Sequence, residues 1–307
     1  MSHPLRSVFC VGETMTQLAP PPPVPLVETA TLTVNAAGAE STVAMYLARL
    51  GHHAAWVSRL GADPLGERIR RMLTTHGVDI AHVEADASRP TGVYFKDPGA
   101  ERTGIFYYRT GSAASALGID DMPWSRLDGT ALVHTSGITA ALSTSTGELV
   151  DALLRRRKEH GHLVSFDVNY RPRLWGSRDA SATLLRAARR ADIVFVGLDE
   201  AAELWGARTS ADVRRLLPEP DQLVVKDGGI AATLFAGDEA FTEPTTPVEV
   251  VEPVGAGDSF AAGYLHELLC GRDPLDRLRS GHRLAATVLA TTADFVDPKG
   301  PAHGSEH

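Results

Sequence analysis

Between residues 131 and 228 the chain repeats one pattern four times. A short apolar run, ALVHTSG (131–137), LVSFDVN (163–169), DIVFVG (192–197) or QLVVKDG (222–228), is bounded by polar or glycine residues. Between the runs lie helical patterns near 146–160, 178–190 and 199–217. Short buried strands alternating with helices predict a mostly parallel sheet covered on both faces, an α/β architecture.

The flanks follow the same logic. Residues 7–11 predict a strand ending at Gly12-Glu13, and 31–36 and 54–57 two more. Glu40–Leu50 has helical spacing and stops at Gly51. Pro64 opens a helix to His76 that Gly77 closes, proline at the start and glycine past the end. A hairpin-like pair near 231–250 precedes two final helices, 258–271 and 274–292. Residues 91–97 and 104–109, rich in β-branched and aromatic types, predict a hairpin turning at 97–102. No linker splits the chain. Residues 1–11, 37–87 and 111–296 are expected to form the core, 12–36 and 88–110 an inserted β lid, and 297–307 a tail. Pro20–Pro25 reads as a rigid surface link.

Composition narrows the partners. The 307 residues carry 30 Lys+Arg against 38 Asp+Glu, a formal charge of −8. Without long basic runs, no nucleic-acid partner is expected. No apolar stretch nears the roughly 18 residues of a membrane span, and the N-terminus lacks a signal-peptide core, so a cytoplasmic location without membrane contact is expected. Cys10 and Cys270 are the two cysteines, which predicts neither a disulfide scaffold nor a thiolate metal site. The histidines are scattered, without HExxH or ligand spacing.

The stretch that most suggests chemistry is Val254-Gly255-Ala256-Gly257-Asp258-Ser259-Phe260. Small residues opening a helix let an anion approach free backbone amides, helped by the helix dipole. An aspartate there repels phosphate, yet it suits a proton acceptor for a hydroxyl attacking that phosphate. The same residues also fit a tight turn and an N-cap aspartate. Neither a dinucleotide GxGxxG unit nor GxxxxGK[ST] is present.

This stretch resembles the C-terminal signature of the PfkB, or ribokinase-like, family of sugar kinases. Gly38-Ala39-Glu40 stands where that family has its glycine-rich N-terminal signature, and Ser58–Gly66 follows as in its members. Phe106–Ala113, Ser136–Thr139 and Asp167–Arg171 are similar to segments of its 2-keto-3-deoxygluconate kinases. The resemblance runs from Gly12 to about Asp294. It implies a three-layer αβα core with a small β-sheet lid, ATP and Mg²⁺ as cofactors, and phosphorylation of a keto-sugar acid. It also implies a homo-oligomer formed through the lid.

By that resemblance Asp258 is the catalytic base, and Gly255, Ala256 and Gly257 form the anion hole. Gly38, Tyr94, Tyr108, Arg109, Arg171, Asp258 and Asp294 bind substrate, the arginines gripping carboxylate or phosphate as forks. Asn169, Lys226, Gly228, Gly229, Gly255, Gly257 and Ala286 bind nucleotide, and Glu200 organises magnesium through water. Taken singly, each arginine also fits a surface ion pair, Lys226 an exposed turn and Glu200 a helix-start acid. Gly197 stands where the family has asparagine, and Ala37 where it has glycine. Two further readings stay open: a family member acting on a neutral sugar or nucleoside, and a non-catalytic sensor on the same fold.

Overall fold

The four apolar runs become four neighbouring parallel strands. The computed structural model describes residues 6–21, 24–98, 104–291 and 295–298. Its strands are β1 (Ser7–Val11), β2 (Met15–Ala19), β3 (Thr33–Ala37), β4 (His53–Gly61), β5 (Asp79–Asp86), β6 (Val93–Asp97), β7 (Gly104–Tyr108), β8 (Leu132–Ser136), β9 (Leu163–Asp167), β10 (Ile193–Gly197), β11 (Gln222–Asp227), β12 (Ala231–Ala236) and β13 (Glu239–Pro244). The helices are α1 (Ala39–Arg49), α2 (Pro64–Thr75), α3 (Gly137–Leu142), α4 (Thr144–His160), α5 (Pro172–Trp175), α6 (Ala180–Ala188), α7 (Leu198–Trp205), α8 (Ser210–Leu216), α9 (Ala256–Leu269) and α10 (Pro274–Leu289).

The main sheet has the order β13-β12-β11-β10-β9-β8-β1-β4-β5. Every pairing from β11 to β5 is parallel, and β12 and β13 add an antiparallel edge. Strands such as β8 and β10 are buried at all five positions, which requires cover on both faces. On one face α1, α2, α9 and α10 pack around Trp56, Tyr46, Phe195 and Tyr264. On the other, α3 to α8 pack around Phe166, Leu184 and Val225, and α4 with short 3₁₀ turns covers Phe9 and Val133.

A second sheet, β3-β2-β6-β7, stands apart from the first. β2 pairs antiparallel with β3 and parallel with β6, and β6 with β7 forms the expected hairpin. The helix predicted over 199–217 is instead two. Gly206 turns left-handed (φ 70°) to end α7, and Thr209 caps α8 by accepting from the Asp212 amide. Two strands lay outside the sequence reading, β2 and the edge strand β5.

Candidate active site

A cavity of about 820 Å³ opens where β1, β9, β10 and β11 end at their carboxyl edge, between the main sheet and the small one. In open parallel sheets, the loops that leave this edge gather polar groups while the strands stay apolar. Glu13 follows β1, Asp167 and Asn169 end and follow β9, Gly197 ends β10, and Lys226 and Gly228 end and follow β11. All of these line the cavity.

The start of α9 forms one wall. Gly255 takes a left-handed conformation (φ 85°) that a side chain would strain, and it caps the helix. Its carbonyl accepts from the Ser259 amide at 3.0 Å, the first full helical bond. The amides of Gly257 and Asp258 therefore lie ahead of the ladder at the positive end of the dipole. A side chain on Gly257 would begin 3.5 Å from Lys226 Nζ, so the ammonium sits beside these amides.

Asp258, third in the helix, meets Asn169, whose Nδ2 donates to Oδ1 at 3.3 Å. Burial pushes the Asp258 carboxyl up to about 7. The charge of Asp167 adds to this, and Arg171 and Lys226 oppose it without prevailing. Asn169 has φ 38°, the one non-glycine positive φ among the described residues, and its Oδ1 is buried without a partner. Backbone strain and an unpaired polar atom thus coincide beside the acid, as at sites shaped for a ligand.

Arg109, Arg171 and Lys226 all face this one cavity, each already paired with a carboxylate. Arg109 forms a buried ion pair with Glu13, which also accepts from Ser112 Oγ at 2.6 Å. Lys226 Nζ lies 3.1 Å from Asp167 Oδ2, and Arg171 3.5 Å from Glu200 Oε1. Glu200 is held by the backbone: its Oε1 accepts from the Tyr170 amide at 2.9 Å and its Oε2 from the Gly197 amide at 3.0 Å. Burial, then Asp167, raises its pKa. A Cβ at residue 197 would meet Asp199 Oδ1 at 2.4 Å. The Asp199 carboxylate therefore fills the space that an asparagine side chain would occupy.

Gly38, Tyr94, Gly228, Gly229 and Ala286 also line the cavity. At Gly38 a side chain would strike the Glu13 carbonyl oxygen at 2.4 Å. Tyr108 departs from expectation. It is 68% exposed on the outer face of the small sheet, edge-on to Phe95 at 5.6 Å. Tyr107 lines the cavity instead, its ring 5.7 Å from Tyr94. Strand side chains alternate, so one residue of register decides which tyrosine faces in. Asp294 lies outside the described residues. Sequence reasoning missed Glu13, Tyr107, Asp199 and the loop 245–250, whose Thr245, Thr246 and Val248 line the same cavity. Glu13 directly follows Gly12 at the end of β1 and Asp199 lies two residues past Gly197 at the end of β10, positions that do not reveal the partners of either acid.

A strained asparagine beside Asp258, a helix N-terminus bearing that raised carboxyl and a small sheet across the cleft are the arrangement of a small-molecule kinase of the sugar-kinase type. Sequence comparison agrees with the geometry. The chain belongs to the pfkB family of carbohydrate kinases, whose sequence profile matches residues 5–294. A 2-dehydro-3-deoxygalactonokinase of Haloferax volcanii is 33% identical over 296 residues, covering 93% of this chain and 91% of its own. A 2-dehydro-3-deoxygluconokinase of Thermoproteus tenax is 32% identical over 314 residues, 98% of this chain and 93% of its own. The crystal structure of the Thermotoga maritima 2-dehydro-3-deoxygluconokinase superposes with a TM-score of 0.87 at 25% identity, covering 97% of this chain and 96% of that one.

Proposed function

We propose that the protein phosphorylates the terminal hydroxyl of 2-keto-3-deoxy-D-gluconate, the 2-dehydro-3-deoxygluconate named in its relatives, with ATP and Mg²⁺. One observation carries this reading: Asp258, its pKa near 7, shares a cavity with Arg109, Arg171 and the α9 amides. Arg109 and Arg171 take the acid end or a phosphate as planar forks. Gly38, Tyr94 and Tyr107 shape the sugar pocket, with tyrosine rings along the carbon chain. Asp258 accepts the hydroxyl proton, for which a pKa near the working pH is suited. The Ala256, Gly257 and Asp258 amides stabilise charge on the transferring phosphoryl group.

The residues present fit a magnesium nucleotide. The open face of Gly257 leaves room for phosphate beside Lys226, and the unpartnered Asn169 Oδ1 offers an acceptor to a metal-bound water. Asp199 and Glu200 would hold the ion through water, as magnesium's reluctance to dehydrate favours. When bound, Mg²⁺ neutralises charge on the nucleotide phosphates. Gly228, Gly229, Ala286 and the 245–250 loop form the remaining nucleotide wall. The small sheet acts as the lid that keeps water from the reacting phosphate. Its edge strand β7 exposes Phe106 (48%) and Tyr108 (68%), which suit pairing with a second copy of the chain.

One observation favours a neutral sugar instead: Glu13 already neutralises Arg109. An ADP-release screen with Mg·ATP separates the two. Gluco and galacto 2-keto-3-deoxy acids are expected to exceed neutral sugars at least 100-fold in kcat/KM, and Arg109→Ala to erase that preference. Equal turnover of neutral sugars, indifferent to Arg109→Ala, overturns the acid assignment. Ligand-induced thermal stabilisation with no ADP from any substrate overturns catalysis itself.

A further inference from the structure

At the opposite end of α9 from Asp258 three metal-ligating side chains meet. His52, from the loop between α1 and β4, is buried at 7% exposure. His266 lies in the last turn of α9, and Cys270 caps that helix four residues later, on the same face. His52 Nε2 is 3.0 Å from His266 Nδ1, and Cys270 Sγ is 4.0 Å from that same nitrogen. All three ligand atoms fall within 4.8 Å of one another.

We propose that His52, His266 and Cys270 form a binding site for a borderline-soft divalent cation of the zinc class, with its fourth position open to water. Tetrahedral coordination at zinc's usual bond lengths needs about 3.3 Å between two nitrogens and about 3.6 Å between nitrogen and sulfur. The observed 3.0 and 4.0 Å are within a few tenths of an ångström of that, and the third pair, His52 to Cys270, lies within 4.8 Å and must close by side-chain rotation as the ion binds. Two imidazoles and a thiolate select this class over magnesium, which takes oxygen. The nearby Glu267 is engaged by Arg272 and Arg283 at 3.7 and 3.8 Å, so the set stays nitrogen and sulfur. The other thiol, Cys10, is fully buried in the core. Binding replaces the Cys270 S–H bond by a sulfur–metal bond and releases that one proton to solvent. His266 and Cys270 lie roughly 12 and 18 Å along the helix from Asp258, at about 1.5 Å per residue, so this site is separate from the magnesium site.

Titrating the ion-free, nucleotide-free protein with Co²⁺ tests the assignment. One equivalent should bind with a thiolate-to-cobalt charge-transfer absorption, and calorimetry in two buffers should read one proton released. Cys270→Ser should abolish the band, and both Cys270→Ser and His52→Ala should weaken Co²⁺ and Zn²⁺ binding at least tenfold. His53→Ala, altering an exposed neighbour, should change neither. In the unaltered protein one equivalent of Zn²⁺ should slow modification of Cys270 by a thiol reagent at least tenfold, a readout that needs no variant to fold. Absence of stoichiometric binding, an unchanged affinity in folded Cys270→Ser, or unprotected Cys270 overturns the site.

Discussion

Asp258 holds two properties in tension. Its carboxyl is raised to about 7 because burial and Asp167 outweigh Arg171 and Lys226. In the unfolded chain it titrates near 4, roughly the free aspartate value. Between about pH 4 and about pH 7 the folded protein holds a proton that the unfolded chain has lost. The contribution of this group to stability therefore falls as pH rises through that window and levels off above it. Asp258→Asn removes the titration. The variant should be the more stable protein at pH 8, by up to about 4 kcal/mol for three pKa units, and the advantage should shrink toward pH 4. Its kcat should drop roughly 10²- to 10⁴-fold, the usual worth of a general base, while ATP still binds. Urea unfolding at pH 5 and 8, with turnover on the same samples, checks both. An equal urea midpoint at pH 8 would contradict the buried-carboxylate account. Asp258 was legible in the sequence because its signal is local, three small residues and an acid opening a helix. Glu13 was not, because its meaning comes from Arg109, brought to it by a different sheet.

At the scale of elements, period decides what is legible. The four strands β8 to β11 and most of the helices stand close to where hydrophobic spacing puts them, since each is buried by its own pattern. The small sheet is harder. Phe106, Tyr107 and Tyr108 are consecutive aromatics, so a two-residue alternation cannot tell which face is inward. Only the pairing of β7 with β6 sets the register, placing Tyr107 opposite Tyr94 and Tyr108 opposite Val93. Tyr107→Ala should raise KM for the sugar acid about tenfold, about 1.4 kcal/mol of binding, with a smaller effect on kcat. Tyr108→Ala should leave KM within twofold. It should instead move the mass seen by analytical ultracentrifugation toward the monomer. The reverse pattern would mean that the outer face carries the substrate and that the lid is not an interface.

The whole molecule sets the electrostatic problem. A chain of net charge −8 is proposed to bind two anions. The cavity does not reverse that sign by itself. Glu13, Asp167, Asp199, Glu200 and Asp258 face Arg109, Arg171 and Lys226 in it, and each cation already has an acidic partner. These charges come from strand ends, loops and helix starts spread from residue 13 to residue 258, so no window of sequence could reveal their balance. A nucleotide carrying its full charge would meet Asp167 and Asp258 directly. One uncompensated pair of like charges at 4 Å costs about 4 kcal/mol at a surface-like dielectric of about 20. A divalent cation offsets that repulsion, and tenfold in affinity needs only about 1.4 kcal/mol of it. Calorimetry should therefore show ATP binding at least tenfold more weakly in EDTA than with saturating Mg²⁺. Lys226→Ala should deepen the loss, since it leaves Asp167 unpaired beside the phosphates. The Asp199→Ala variant should need more Mg²⁺ for the same ATP affinity, because its carboxylate fills the place beside Gly197. Equal ATP affinity with and without Mg²⁺ would mean that Arg171, Lys226 and the α9 amides overcome the acids unaided.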